Sequence, residues 1–238
     1  MAFMIPETLR RRFSTQGTKK KVRALYWQED YLDAYSQHTD LRVDEDPHDA
    51  IGGHWDEMGE LQFRFLVDNG LKPEHRMLDI GCGTLRGGRH FIRYLDAGHY
   101  TGIDISKKVL AYGQELLVEE KLAEKRPKLV LNQEKRLRFS EFADQTFDYL
   151  LAQSVFTHLP PEYIEECFQH IRQIMGIDSR FFFTFYGSDE HCRRALKDFS
   201  QPWPFYQELA ERHGYLIENK SEHYPHPSQQ SMAVLTLA

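Results

Sequence analysis

The sequence predicts an α/β fold: a doubly wound, mostly parallel sheet of seven strands with an N-terminal helical extension. Three observations predict it. Short apolar runs alternate with helical stretches from about His75 to the end of the chain. The first run, Met77 to Ile80, feeds the glycine-rich LDIGCGTLRGG at Leu78 to Gly88, with Asp79 two positions before Gly81. The second, YTGIDI at Tyr100 to Ile105, carries Asp104, 21 residues past Gly83. At that distance a second parallel strand brings a carboxylate to ribose hydroxyls.

The elements follow in order. Val22 to His38 and Trp55 to Asn69 read as helices; in the second, Trp55, Met58, Leu61, Phe65 and Leu66 recur near helical spacing. Strand one ends at Ile80, a helix runs from Arg86 through Leu95, and strand two is His99 to Ile105. Ser106 is a natural N-cap for a helix from Lys107 to Lys125, and Pro127 introduces strand three, Lys128 to Asn132. FDYLLAQ, Phe147 to Gln153, is strand four. Pro160, Pro161 and Glu162 open a helix reaching about Met175. RFFFTFY, Arg180 to Tyr186, is strand five. A helix from Trp203 to His213 precedes Tyr215 to His223 and Ser231 to Leu237, read as a terminal antiparallel pair.

Composition bounds the class. The chain has 238 residues, 41% hydrophobic and 28% charged, enough for one α/β domain with a full core plus a small addition. No apolar run is long enough to cross a bilayer, and the N-terminus lacks the apolar stretch of a signal peptide. Cys82, Cys167 and Cys192 are odd in number and widely spaced, which suggests neither a disulfide framework nor a zinc site, and a reducing cytoplasm is expected. A net charge of −6 argues against a general nucleic-acid binder. The first 25 residues are nevertheless basic, with Arg10, Arg11, Arg12, Lys19, Lys20, Lys21 and Arg23 against Glu7 alone. That arm suits an acidic surface, or is simply solvated. The expected division is residues 1–50, arm and helical cap, and residues 51–238, the catalytic-type domain.

The glycine-rich turn is a cofactor cradle. Gly81 and Gly83 let the backbone turn tightly and approach a ligand, flanking Cys82. A dinucleotide fingerprint wants a third glycine where Arg86 stands. With Asp79 in D-x-G-x-G, the run instead resembles motif I of the class I S-adenosylmethionine-dependent methyltransferases, and Asp104 matches the ribose-binding acid of that family. FDYLLAQSVFTHLP, Phe147 to Pro160, looks like its motif IV, and GGHWDEMGELQF, Gly52 to Phe63, looks like the lead-in of bacterial small-molecule members. The resemblance covers about residues 75–238. It implies the Rossmann-like methyltransferase fold, S-adenosylmethionine as cofactor and a small-molecule methyl acceptor.

It also implies site residues. Ile105 follows the ribose acid, and Gln153 and Ser154 lie at the carboxyl end of strand four, where ligands bind in open α/β sheets. After strand three the family often places an acid on the adenine amino group; Glu134 or Asn132 takes that role, or the run is a polar loop. His158, on the loop after strand four, is the candidate base, since imidazole titrates near neutrality; a backbone-bonding role at the helix entry is the alternative. Arg86, a cation expected in the first turn of a helix, opposes the dipole and calls for an anion, either the cofactor carboxylate or an acidic neighbour, or its side chain swings to solvent. Tyr186, His223 and Tyr224, with His226, are candidates to line the acceptor pocket. Trp55 caps the ligands or sits in the core. No metal is expected.

Absences narrow the acceptor. AQSVF has no acid or Asn followed by Pro-Pro-aromatic, the run that base-amino methyltransferases carry after strand four, so no nucleic acid is expected. Asp148 lies at the start of strand four, away from the edge where metal-assisted catechol-type enzymes hold acids. Metal-free O-methylation of a small molecule leads. N-methylation or protein methylation, a nicotinamide-dependent oxidoreductase and a non-catalytic cofactor-binding module are the alternatives.

Overall fold

The computed structural model describes residues 21–46, 48 and 53–238. The basic positions from Arg10 to Lys20 lie outside the described residues. Residues 21–28 are helical, and a break follows at Asp30. The Asp30 side chain accepts the Leu32 N–H at 3.1 Å and caps a new helix, α1 (Tyr31–Glu45), where a single helix was expected. Then come α2 (Trp55–Asp68), β1 (Met77–Ile80), α3 (Gly88–Tyr94), β2 (Tyr100–Asp104), α4 (Lys107–Glu119) and β3 (Lys128–Leu131). The rest is β4 (Phe147–Ala152), α5 (Pro161–His170), β5 (Met175–Phe185), β6 (Cys192–Arg193), β7 (Phe199–Ser200), α6 (Trp203–His213), β8 (Tyr215–Asn219) and β9 (Ser231–Leu237).

The seven-stranded sheet has the order β3-β2-β1-β4-β5-β9-β8. β3, β2, β1, β4 and β5 run parallel, and β9 pairs antiparallel with both β5 and β8. The order reverses between β1 and β4, so a crevice opens at their carboxyl ends. The central strands β1 and β2 are buried along almost their whole length because both faces of the sheet are covered there. RFFFTF shows the consequence: Phe181 and Phe183 face one cluster with Phe156, Phe168 and Tyr206, while Phe182 faces the other with Phe65, Tyr149 and Leu151.

Several boundaries differ from the sequence reading: α4 ends at Glu119, α5 at His170 and β8 at Asn219, each earlier than expected, and three further differences stand out. β5 begins at Met175 because the Ser179 hydroxyl donates to the Phe147 carbonyl at 2.6 Å, extending the strand across a register shift in β4. α3 begins at Gly88, with Gly87 as N-cap, so Arg86 belongs to the turn and not to the helix. A two-residue hairpin, β6 with β7, stands between β5 and α6, where no strand was expected. Ser106 is the N-cap of α4 as expected, its hydroxyl accepting the Val109 N–H at 3.1 Å.

Candidate active site

Gly81 and Gly83 hold the turn after β1 at φ of +67° and +57°, the left-handed region where a side chain is strained. A Cβ at Gly81 would also stand 2.7 Å from the Val155 side chain. The turn is tied to β2: the Gly81 N–H donates to the Ile103 carbonyl at 2.8 Å, and the Gly83 N–H donates to Asp104 Oδ2 at 3.1 Å. Asp104 Oδ1 accepts the Ser106 N–H at 2.9 Å. Both carboxylate oxygens are thus already organised. Asp79 is buried and accepts the Tyr100 hydroxyl at 2.7 Å.

These groups border a cavity of ≈ 390 Å³ at the switch point, within the range of small-molecule sites. Asp79, Gly81, Cys82, Gly83, Arg86, Asp104, Ile105, Gln153, Ser154, His158 and Tyr186 all line it. Burial pushes the Asp79 carboxyl up to about 7, against the Tyr100 hydrogen bond and the Arg86 charge. Burial likewise raises Asp104 to about 6, against the backbone N–H donors that it accepts. Burial drives the Cys82 thiol well above its ordinary value, with the neighbouring acids adding to the shift. Cys82 is therefore a packed thiol.

Arg86 has its anion within the protein. Its guanidinium donates to the Gly53 carbonyl at 2.7 Å and lies in the field of Asp79, which opposes the lowering of its pKa by burial. Since α3 starts at Gly88, the conflict with the helix dipole does not arise.

At the end of β4, Ser154 has φ of +57°, and its N–H donates to Thr184 Oγ1 at 2.7 Å. The Ser154 and Thr184 hydroxyls both donate to Gln230 Oε1, at 3.0 and 2.7 Å. Gln153 Oε1 accepts the Tyr224 hydroxyl at 2.6 Å. Tyr224 is buried beneath the cavity wall, not on its surface, and supports Gln153 from behind. His226 does reach the cavity; burial and the Arg86 charge push it down to about 4.

His158 lines the cavity from the loop after β4. Its Nδ1 lies 2.9 Å from Asp198 Oδ1 and 3.1 Å from the Lys197 carbonyl, while Nε2 has no hydrogen-bond partner among the described residues. Burial and then Lys197 lower its pKa, against support from Asp198. The ring is therefore neutral at neutral pH, with Nδ1 as the donor.

Besides Tyr224, three expected site residues lie elsewhere. Glu134 is exposed and outside the cavity; Asn132, buried and capping the Arg136 N–H at 3.3 Å, lines it instead, together with Lys135. Trp55 stacks on His48 at 4.0 Å and under the Arg89 guanidinium at 5.2 Å, away from the cavity. His223 ends a turn of 3-10 helix and faces solvent. Conversely, Tyr35 and Arg42 of α1 and Lys197 and Asp198 of the hairpin loop line the cavity, and sequence reasoning missed all four. Among the described residues no group of three or more His, Cys, Asp or Glu is placed to hold a metal.

The strand order, the glycine turn and the acids ending β1 and β2 together define the class I methyltransferase fold. Residues 78–181 match the family model of a methyltransferase domain. Phosphoethanolamine N-methyltransferase 2 of Caenorhabditis elegans is 30% identical over 142 residues, 57% of this chain and 28% of that protein. The matched stretch thus spans little more than a quarter of the length of that curated relative. Magnesium protoporphyrin IX methyltransferase of Synechocystis PCC 6803, with bound SAM, superposes with a TM-score of 0.60 at 16% identity over 100% of both chains. Phosphoethanolamine N-methyltransferase 2 of Haemonchus contortus, solved with phosphomonomethylethanolamine and S-adenosylhomocysteine, gives a TM-score of 0.56 at 16% identity over 74% of this chain and 52% of its own.

Proposed function

We propose that the protein is an S-adenosylmethionine-dependent methyltransferase acting on a small molecule, most directly by O-methylation, with His158 as the base. The observation that carries the reading is the His158–Asp198 pair on the wall of the cavity that also holds Asp79, Asp104 and the glycine turn. The donor set fits the cofactor. Asp104 would hold the ribose hydroxyls, the Gly81–Gly83 turn leaves room for backbone approach, and Asn132, which lines the cavity where Glu134 does not, would take the adenine. The buried Asp79 carboxyl and the partly buried Asp104 carboxylate suit a cationic ligand, because charge attraction strengthens where water is excluded.

When bound, S-adenosylmethionine supplies an activated methyl group on a sulfonium. The residues of this chain position the acceptor and remove its proton. Asp198 fixes the imidazole with Nδ1–H toward itself, leaving Nε2 to accept a hydrogen bond from the acceptor and then its proton. The lowered pKa of His158 keeps Nε2 unprotonated at neutral pH. Positioning in such a cavity supplies as much as about 7–11 kcal/mol of barrier reduction, and a base adds roughly 10²–10⁴ in rate. N-methylation of a small amine is the second reading, favoured by the identity with the C. elegans relative. It uses the same base, since a protonated amine must also lose a proton.

Labelled S-adenosylmethionine, offered with a panel of phenols, sugars, carboxylic acids and small amines, tests the proposal. The expected result is transfer to one acceptor class. His158→Ala should lower turnover about 10²–10⁴-fold with S-adenosylhomocysteine affinity preserved. In the parent, turnover falls only on the acid side of the ordinary imidazole value, and Asp198→Asn moves that limb lower, because Asp198 raises the imidazole pKa. Cofactor binding with no transfer to any acceptor would make the chain a binding module. Unchanged turnover in His158→Ala would remove the base.

A further inference from the structure

The hairpin between β5 and α6 gives the cavity a charge that neither the cofactor cradle nor the base needs. Its loop is closed by the Arg194 and Ala195 N–H groups, which donate to the Asp198 carbonyl at 2.7 and 3.2 Å. Two guanidinium groups pin it from outside, Arg194 over Tyr186 at 4.4 Å and Arg193 over Phe199 at 5.4 Å. Its inner side presents Asp198 to His158 and turns Lys197 into the cavity, with Nζ 5.5 Å from the Tyr35 ring centroid.

No carboxylate pairs with the Lys197 ammonium among the described residues, because Asp198 faces the imidazole. Arg42, in the last turn of α1, lines the same cavity. The two cations feel one another. Burial first, and then Arg42, lower Lys197 to about 8, which still leaves it mostly charged at neutral pH. His38 nearby is pushed down to about 4 by burial and by both cations. The half-buried Lys197 ammonium is relieved by an anion and aggravated by a cation, and Arg42 adds like charge on the same cavity.

We propose that the methyl acceptor carries an anionic group, a carboxylate or a phosphate, and that Lys197 and Arg42 bind it within the cavity beside the His158–Asp198 pair. The inference rests on the methyltransferase reading, and narrows its substrate to molecules with a nucleophile at one end and an oxyanion at the other. Lys197 and Arg42 are then specificity residues, contributed by two elements distant in sequence and brought together only by the fold.

The test titrates inorganic phosphate and acetate into the full chain saturated with S-adenosylhomocysteine, with chloride holding ionic strength constant. One of the two anions should bind saturably in the calorimeter. Lys197→Gln and Arg42→Gln should each weaken that binding about tenfold or more, the cost of a lost charged hydrogen bond, while Lys197→Arg retains it. Affinity for S-adenosylhomocysteine should change less than about threefold in all three variants, since a larger loss would assign the cations to the carboxylate of the cofactor. The tighter of the two anions identifies the acceptor chemistry. Absence of saturable anion binding, binding that both glutamine variants leave intact, or a matching loss of cofactor affinity overturns the inference and leaves the methyltransferase reading standing. Failure of the parent chain to bind S-adenosylhomocysteine overturns both.

Discussion

Asp79 and Asp104 are one pair of carboxylates with two burdens. Each must stay near the glycine turn to meet a ligand, and each gives up water to do so, Asp79 fully and Asp104 in part. The folded pKa of Asp79, about 7, lies above its ordinary 3.8, because burial outweighs the hydrogen bond from Tyr100 and the charge of Arg86. An acid with a raised folded pKa binds more protons folded than unfolded between those values. Its contribution to stability is therefore complete below about pH 4 and is lost as pH rises through 7. Asp104 acts the same way up to about 6. Each pH unit of such a window is worth at most about 1.4 kcal/mol per group. The ligand-free protein should accordingly lose thermal stability between pH 5 and pH 8, and Asp79→Asn should flatten the curve and raise the melting temperature at pH 8. A melting temperature that rises over that range equally in parent and variant would show that Asp79 is ionised throughout.

At the scale of elements, the cavity depends on α1 lying over the carboxyl edge of β2. The ties are polar: the Ser36 hydroxyl donates to the Ile105 carbonyl at 3.0 Å, the Ser106 hydroxyl donates to Asp40 Oδ1 at 2.5 Å, and Lys135 and Lys108 pair with Asp33 and Asp44. Exposed ion pairs contribute little, so the Asp40–Ser106 contact should dominate. Asp40→Ala leaves Ser106 free to cap α4 and removes about 1–2 kcal/mol from the docking of α1. Hydrogen exchange in Tyr31–Glu45 should then accelerate roughly 5–30-fold while β4 and β5 are unaffected. Equal acceleration in the sheet would mean that α1 opens only with the whole domain. This polar docking also explains what the sequence concealed. Asp79, Gly81, Gly83, Asp104, Gln153 and Ser154 were legible because each lies at or just past the carboxyl end of a strong apolar strand, so strand position sends it to the crevice, and His158 follows on the short 3-10 turn after β4. Tyr35 and Arg42 sit on a helix of weak amphipathic pattern, and Lys197 and Asp198 on a hairpin of two-residue strands too short for any period. Glu134 was misread because the Asn132 cap turns its own side chain inward and sends the next two residues to solvent. Trp55 and His223 had only residue type to recommend them, and packing against His48 and Arg89 in one case, and a single 3-10 turn in the other, took them away from the cavity.

For the whole molecule, the question is which ligand the fold is built to hold. The crevice at the reversal of strand order suits nucleotide-like cofactors of more than one kind, and fold alone does not choose between them. Local chemistry does. In place of a third glycine, whose bare backbone would admit a pyrophosphate, Arg86 fills the turn and is buried against Gly53 and Asp79. A doubly negative pyrophosphate would also face the Asp79 carboxylate, whereas a sulfonium with an amino group meets it favourably. Mass action converts that preference into a measurable shift. A ligand at one hundred times its dissociation constant stabilises the folded state by about 2.7 kcal/mol, and in a domain of this size each kcal/mol moves the melting temperature about 2–4 °C. S-adenosylhomocysteine should therefore raise the melting temperature about 5–11 °C at that excess. S-adenosylmethionine should act similarly, and NADH should not act at all. Asp104→Asn should lose most of the shift, because an amide offers only one acceptor oxygen to the Gly83 and Ser106 N–H groups and none with charge to the ribose. Saturable stabilisation by NADH and none by S-adenosylhomocysteine would assign the crevice to hydride chemistry.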